Sequence, residues 1–503
     1  MNNLVNKNKI LFVNPLATEI SMGTAGIAYI RGYLEKYKIN SNILNMNDLI
    51  FNNKEYANQL RKHCKELSLQ INFNIQNEKK YYKNLFCGVI KRADNEIWDI
   101  VTRKNLLSSL LFNIYKNLKP VNIVGFSVTY PHQLYFTLLS AYYIKNINPN
   151  IKIIIGGIYV LREINHLINL LKQNTVIDYL VAGDGEIAVK DLLLGKDKKN
   201  IPNLIYLKDK DYIASNKMNY STPISEYPTP IYEKGTKMPV IKASSAVCYW
   251  NRCAFCSSYH HSNAKNLIYR PVSDIIKDLI SINRNIRDYY LIYFLDSAMP
   301  KPLLNDLVGE MEKIPELHTA YRIFLRLEPW LNEDLLIRAR NIGFGKGKGR
   351  LNFGLETTSP RLLKLINKGI KIENANKIFE ICLKNDINIQ IQLIFGLPTQ
   401  TKEELLFDLD YIYKLVKRFK DPEKIYIRIS NFKLIKNSDI FLNPSKYKIK
   451  IPYNKINNLS WFIPFEQLDK TAIQTTEEVW EIYHNFLKKI PDKYKEAYLE
   501  KFF

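Results

Sequence analysis

Residues 248–261 read CYWNRCAFCSSYHH. Three of the chain's six cysteines fall within nine residues here, spaced Cys248-x4-Cys253-x2-Cys256, beside Trp250, Phe255 and the pair His260–His261. In an intracellular chain, thiols this close serve as metal ligands or as a reactive pair more often than as a disulfide framework. Structural zinc closes a tetrahedron with four ligands, so His260 or His261 would have to complete a Cys3His set. Cys253 and Cys256 alone form a C-x-x-C redox pair. Three cysteines on a cubane iron–sulfur cluster leave one iron without a protein ligand and open to a small molecule. The spacing by itself permits all three readings.

The sequence around the loop sets its place in a fold. "MPVIKASSAVC" (238–248) reads as a strand running into it. After it come "VSDIIKDLISINR" as a helix with Ser273 as N-cap, then strands in "YYLIYFLDSAMP" and "TAYRIFLRLEP". "GRLNFGLETTS", "NIQIQLIFGLPTQT" and "KIYIRISNFKLI" are further strands, with "NEDLLIRARNIG", "PRLLKLINKG" and "KEELLFDLDYIYKLVKRF" as helices between them. Alternation of this kind over 238–436 predicts a partial (β/α)6 barrel of TIM type, whose chemistry gathers at the strand C-termini. The cysteine loop follows the first of those strands.

Upstream, "KILFVNP", "NIVGFSVTYP", "KIIIGGIYV" and "VIDYLVAGDGE" are near-continuous apolar runs separated by helical stretches. They predict an α/β fold over 1–200, a Rossmann-like doubly wound parallel sheet with ligands at its carboxyl edge. No G-x-G-x-x-G follows the first strand, which argues against a dinucleotide site. The proline-bearing "YSTPISEYPTPIYEKG" places a linker at 201–237. The remainder, 437–503, reads as a small, mostly helical segment that covers the substrate. Its "TTEEVWEIYHNFLKK" sets Val479, Ile482, Tyr483, Phe486 and Leu487 on one helical face.

Composition narrows the classes. The chain has 503 residues, 46% hydrophobic, with a net charge of +23. That charge admits a zinc-stabilised nucleic-acid-binding protein, but the lysines are scattered and no nucleic-acid motif accompanies them. No apolar stretch is long enough for a membrane helix, and the amino-terminal sequence lacks a signal-peptide pattern, so a cytoplasmic location is expected. Cys64, Cys87 and Cys382 stand alone and read as buried small hydrophobes.

The cysteine loop resembles the cluster loop of radical S-adenosylmethionine (SAM) enzymes, whose usual spacing is C-x3-C-x2-C with an aromatic before the last cysteine; Phe255 stands there. The first gap is one residue longer here, as in cobalamin-dependent members that begin "CYW". "RLEPWLNEDLLIRARNIGFGKGKGRLNFGLETTSPRLLKLINKG" and "IQLIFGLPTQTKEEL" are similar to the middle and later strands of that family's barrel. "VGFSVTYPHQ", "IIIGGIYV" and "IDYLVAGDGEIAVKDLL" resemble the cobalamin-binding domain that precedes many such barrels. The D-x-H-x-x-G pattern is replaced by "VNPLATEISMGTAG", without histidine.

The resemblance implies a [4Fe–4S] cluster on Cys248, Cys253 and Cys256, SAM on its open iron, and cobalamin without a histidine from that motif. It implies a C-methyltransferase acting through a 5′-deoxyadenosyl radical and methylcobalamin on an unactivated carbon of a peptide or natural product. Ring formation, rearrangement or epimerisation is the alternative outcome. An electron donor such as flavodoxin or ferredoxin is the implied partner. Asp296, Glu328 and His260 are the expected catalytic groups. Phe255, Arg326 and Glu356 are expected to contact SAM; Arg326 and Glu328 also suit a mutual ion pair. Ser127, Thr129, Tyr130, Gly156, Gly157, Gly183 and Gly185 are expected to line cobalamin, with His132 beside Tyr130.

Overall fold

The computed structural model describes residues 10–15, 24–46, 49, 53, 55–56, 58, 98, 101–102, 106–116, 121–244, 248–257, 268–419, 421–456 and 462–499. The chain divides into two compact units, Met1–Thr236 with Asn457–Trp461, and Lys237–Ile456 with Phe462–Phe503.

In the first unit, strands and helices alternate: β1 (Ile10–Asn14), α1 (Ala25–Lys36), β2 (Ser41–Asn45), α2 (Leu106–Lys116), β3 (Ile123–Ser127) and α3 (Pro131–Ile147). They are followed by β4 (Lys152–Gly156), α4 (Ile158–Arg162), α5 (Ile164–Lys172), β5 (Tyr179–Val181) and α6 (Glu186–Leu193). The sheet order is β2-β1-β3-β4-β5, all parallel, continued by β6 (Leu204–Lys208) and β7 (Asp211–Ala214) as antiparallel strands. The central strands β1, β3, β4 and β5 are largely apolar because both faces are covered. Leu11, Val13, Val124, Phe126, Ile153 and Ile155 join one core cluster. Their neighbours Ile10, Phe12, Ile123, Ile154 and Val181 join the other. A period of two with a core on each side produces a continuous apolar run.

The span 201–237 is more than a linker. β6 and β7 extend the sheet, and the stretch beyond them straps the loop Gly183–Glu186. Asn203 Nδ2 donates to the Asp184 and Tyr220 carbonyls at 3.3 and 2.8 Å, and Thr222 N–H donates to Asp184 Oδ2 at 2.8 Å. Pro223, Pro228 and Pro230 lie between β7 and the next unit, outside any strand, and so gave a linker signal although the segment is hydrogen-bonded to the sheet's loops.

The second unit begins with β8 (Val240–Ile241), α7 (Val272–Asn285), β9 (Ile292–Phe294), α8 (Lys301–Met311), β10 (Tyr321–Leu325) and α9 (Glu333–Asn341). Then come β11 (Arg350–Glu356), α10 (Pro360–Leu365), α11 (Ile372–Lys384), β12 (Ile389–Phe395), α12 (Lys402–Arg418) and β13 (Ile425–Asn431). These make one six-stranded parallel sheet, β13-β12-β11-β10-β9-β8, with β8 and β13 at its edges: the expected partial barrel. Alternation along the strands separates two environments. Ile389, Ile391, Leu393, Ile425 and Ile427 are buried, while Arg322, Phe324, Tyr426 and Arg428 on the opposite face stay partly exposed. Helix α7 begins one residue before Ser273, and Pro271 takes the N-cap place without a side-chain bond.

Beyond the barrel, β14 (Leu434–Ile435) and α13 (Asp439–Leu442) are followed by β15 (Ile449–Lys450), β16 (Phe462–Ile463) and β17 (Glu466–Gln467). β14 pairs with β16 and β15 with β17, both antiparallel. Helices α14 (Thr476–Lys489) and α15 (Asp492–Leu499) end the described chain. The apolar face expected on α14 is buried at Val479, Ile482 and Tyr483, with Tyr483 against Phe395 at the end of β12. Phe465 packs edge-on to Phe432. No described helix is long and apolar enough to cross a membrane.

Candidate active site

The loop from Cys248 to Ser257 follows the first barrel strand and is held by the protein itself. Ala254 N–H donates to the Ile366 carbonyl at the end of α10 (2.8 Å), and the Ala254 carbonyl accepts from Ile440 N–H in α13 (3.1 Å). Cys256 N–H closes a turn on the Cys253 carbonyl at 3.0 Å. Cys248, Cys253 and Cys256 are free thiols, each partly buried. Burial pushes the Cys253 thiol up to about 11, against the pull of Lys368 and Arg326. His260 and His261, with residues 258–267, lie outside the described residues.

The extra residue in the first cysteine gap has a structural role. Tyr249 OH donates to Glu328 Oε2 at 3.0 Å. Trp250 donates its indole N–H to the Asn367 carbonyl at 2.9 Å, and the Arg326 guanidinium stacks on its ring at 4.4 Å. Asn251 then turns the chain in the left-handed region, φ 49°, which asparagine tolerates better than most residues. Both aromatic side chains are thus seated on the barrel rim, and the turn at Asn251 takes up the added length. The seat for Trp250 is Gly369, where a Cβ would lie 2.0 Å from the indole and the backbone has φ +68°. Gly369→Ala is expected to unseat Trp250, costing about 1–3 kcal/mol and lowering the iron retained after anaerobic reconstitution. Thermal unfolding and iron analysis check it; an unchanged protein on both counts would remove the lock.

Two charge pairs face this loop, the first partly exposed at Glu328 and the second buried. Arg326, just past β10, bonds Glu328 Oε1 through Nε at 2.7 Å and the Lys368 carbonyl through its terminal nitrogen at 2.6 Å. Glu328 also accepts from Trp330 Nε1 at 2.8 Å. Burial pushes the Glu328 carboxyl up, but the bonds from Arg326, Trp330 and Tyr249 outweigh it and hold it below the ordinary value. Arg326 and Glu328 form a mutual ion pair in the structure. The second pair is Lys368 with Glu356, Nζ to Oε1 2.7 Å, both buried. Burial alone would lower the Lys368 ammonium, but Glu356, with Cys253 next, holds it above its usual value. The same ammonium lies 5.9 Å from the Phe255 ring centroid. Glu356 ends β11 at φ +68°, where the register with β12 shifts.

Asp296 behaves as an anchor. Its Oδ2 accepts from Ala243 N–H at 2.9 Å and its Oδ1 from the Ser244 hydroxyl, fixing the approach to the cysteine loop. Burial raises its carboxyl above the ordinary value despite these bonds. Sequence reasoning missed Tyr249, Asn367, Gly369 and Lys368. Lys368 precedes a glycine past a helix end, a position that usually holds a solvated lysine, and nothing local reveals that it is buried.

In the first unit, Ser127, Thr129 and Tyr130 do lie where β3 meets α3, and Gly156 and Gly157 where β4 ends. Thr129 and Tyr130 N–H both donate to Gln133 Oε1, at 2.6 and 3.0 Å. Tyr130 is exposed; the His132 side chain and residues 16–23 lie outside the described residues. The glycines are mostly packing residues. A Cβ on Gly157 would meet the Val128 carbonyl oxygen at 2.4 Å, on Gly183 the Asn203 amide at 2.8 Å, and on Gly185 the Ile30 side chain at 2.9 Å; only Gly156 has ordinary clearance.

The donor sets fit the expected groups. Three thiols on one loop with buried cations alongside suit a cluster that keeps one iron open. Among the described residues no three thiol, imidazole or carboxylate groups converge on a single-ion position; a cubane asks instead for one thiolate on each of three irons. At the carboxyl edge of β1 and β3, Asn14 Oδ1 and Gln133 Nε2 are buried without a hydrogen-bond partner among the described residues. Buried polar atoms are normally paired, so these two suit the polar periphery of a large ligand.

Residues 245–412 match the radical SAM superfamily. The chain therefore carries a radical SAM domain over those residues and is an enzyme; that domain implies SAM and a [4Fe–4S] cluster as cofactors. Among relatives, an uncharacterized methyltransferase of Pyrococcus horikoshii is 25% identical over 62% of this chain and 68% of that protein. The heme chaperone HemW of Buchnera aphidicola subsp. Schizaphis graminum is 24% identical over 42% of this chain and 63% of its own length. The radical SAM methyltransferase TsrM of Kitasatospora setae, solved with cobalamin and a [4Fe–4S] cluster, superposes with a TM-score of 0.63 at 14% identity, covering 97% of this chain and 89% of that one. The cobalamin-dependent radical SAM enzyme OxsB, with aqua-cobalamin bound, gives 0.61 at 14%, covering 93% and 65%. At such identities the likeness to TsrM and OxsB is one of fold.

Proposed function

We propose that the chain is a cobalamin-dependent radical SAM methyltransferase that methylates an unactivated carbon of a peptide or natural-product substrate. The observation that carries this is the pairing, in one chain, of a β2-β1-β3-β4-β5 parallel sheet with a six-stranded parallel barrel whose first strand leads into the three-thiol loop.

Cys248, Cys253 and Cys256 hold the cluster. When bound, the cluster supplies the electron that cleaves SAM, and cobalamin supplies the transferred methyl group. The protein's part is to orient and to exclude water. Glu328, held ionised by Arg326 and Trp330, accepts from the SAM ammonium. The Glu356–Lys368 pair presents one charge of each sign beside Phe255, a match for the amino-acid end of SAM. Asp296 fixes the segment entering the cysteine loop. Ser127, Thr129, Tyr130 and Gly156 border the cobalamin site, with Asn14 and Gln133 offering an acceptor and a donor. An outside one-electron donor, of flavodoxin or ferredoxin type, completes the system.

Anaerobic reconstitution with iron, sulfide and hydroxocobalamin tests the reading. About four irons and about one cobalt per chain are expected, with the methyl label of SAM passing to cobalamin under reductant. Iron without cobalt would end the methyl-transfer reading and leave the radical SAM assignment in place.

A further inference from the structure

We propose that Asp408, on α12, is a positioning residue that sets the SAM-contacting end of β11 by clamping two adjacent rim loops. This rests on the proposed role of Glu356 as a SAM contact. The Asp408 side chain is fully buried and takes no part in the mechanism above. Its two oxygens accept from the Thr357 hydroxyl, from the Thr358 backbone N–H and hydroxyl, and from Gln400 Nε2 at 3.2 Å. Thr357 and Thr358 are the two residues directly after Glu356. Gln400 in turn accepts Gly396 N–H at 2.7 Å and Leu397 N–H at 3.2 Å through Oε1. One carboxylate therefore ties the loop after β11 to the loop after β12.

The clamp answers a conformational problem. Glu356 sits at φ +68°, a region that a residue with a long side chain avoids and that persists only where the surroundings over-determine it. Two of the four donors lie on Thr358 and one on Thr357, so the backbone leaving Glu356 has little freedom to relax. Burial pushes the Asp408 carboxyl up to about 6 in spite of the threonine bonds. Glu404, whose charge also pushes the Asp408 carboxyl up, is itself engaged by Arg361 at 2.6 Å and by the Ser359 hydroxyl at 2.7 Å. Among the described residues Asp408 has no hydrogen bond or ion pair with the cysteine loop or with Lys368, so its effect reaches SAM through Glu356 and the two loops.

The test compares SAM affinity by equilibrium dialysis, KM for SAM, and iron content in the reconstituted full chain. Asp408→Asn keeps the shape but turns an amide NH2 toward fixed donors. It is expected to weaken SAM binding roughly tenfold or more, raising KM with kcat at saturating SAM changed little and iron content unchanged. Thr358→Val, which spares the carboxylate, is expected to shift affinity the same way by a smaller factor and guards against a folding failure in the first variant. Glu356→Gln is measured alongside. Wild-type SAM affinity in Asp408→Asn and Thr358→Val, with lowered affinity in Glu356→Gln, would overturn the clamp alone. Wild-type affinity in Glu356→Gln would overturn the site reading on which it rests. Iron lost in step with SAM affinity would make Asp408 a general stability residue and overturn its positioning role.

Discussion

Cys253→Ala is expected to yield a folded chain that no longer keeps its iron. The loop backbone is fixed by protein contacts, Ala254 to Ile366 and Ile440, so the fold around position 253 does not depend on the thiol. The side chain is only partly buried and leaves a small cavity, which limits the stability loss to about 1 kcal/mol. The cluster is left with two protein thiolates. Even residues that merely orient a metal ligand change affinity or activity by roughly 10–100-fold, so removing a ligand outright should reduce reductant-dependent SAM cleavage by more than about a hundredfold. Iron and sulfide analysis after gel filtration, with a thermal melt on the same sample, separates ligand loss from unfolding. Undiminished iron in a well-folded variant would refute the ligand assignment.

Lys368→Met has the largest expected effect on stability. It removes the ammonium that faces Glu356 at 2.7 Å while leaving that carboxylate buried. Breaking one side of a buried pair costs about 3–5 kcal/mol, because the remaining charge is unpaired in a medium that solvates it poorly. For a unit of this size that is a fall in Tm of roughly 10 °C. The double variant Lys368→Met/Glu356→Gln should recover most of the loss, since it removes the orphaned charge as well; the coupling between the two sites is what a double-mutant cycle reads. Equal melting of Lys368→Met and wild type would mean that the pair is not held as a buried ion pair in solution.

Much of the architecture was legible because burial on both faces writes itself into the strands. "ILFVN", "KIIIG" and "IQIQLIF" announce themselves as parallel strands, and their alternation with helices marked both sheets as parallel. The three cysteines stood out by their crowding, and the resemblance of the surrounding sequence to the radical SAM barrel, not the spacing alone, chose among their readings. Long-range partners were not legible. Trp250 meets Asn367 and Gly369 more than a hundred residues away, and no local pattern couples a tryptophan in one loop to a glycine in another. Asp296 looked like a site residue because an acid ends an apolar strand, but its oxygens serve Ala243 and Ser244. At the loop glycines 157, 183 and 185 an added Cβ would meet Val128, Asn203 and Ile30, close protein contacts that no local pattern announces. Prolines in 220–235 suggested a linker, although the segment is hydrogen-bonded to Asn203 and Asp184.

The most direct test is the yield of 5′-deoxyadenosine from SAM by the anaerobically reconstituted wild-type chain, with and without a strong one-electron reductant. The site described here requires product only when both reductant and an intact Cys248–Cys253–Cys256 set are present. Product that is independent of the reductant or of these cysteines, or no product from a chain holding about four irons, would contradict it.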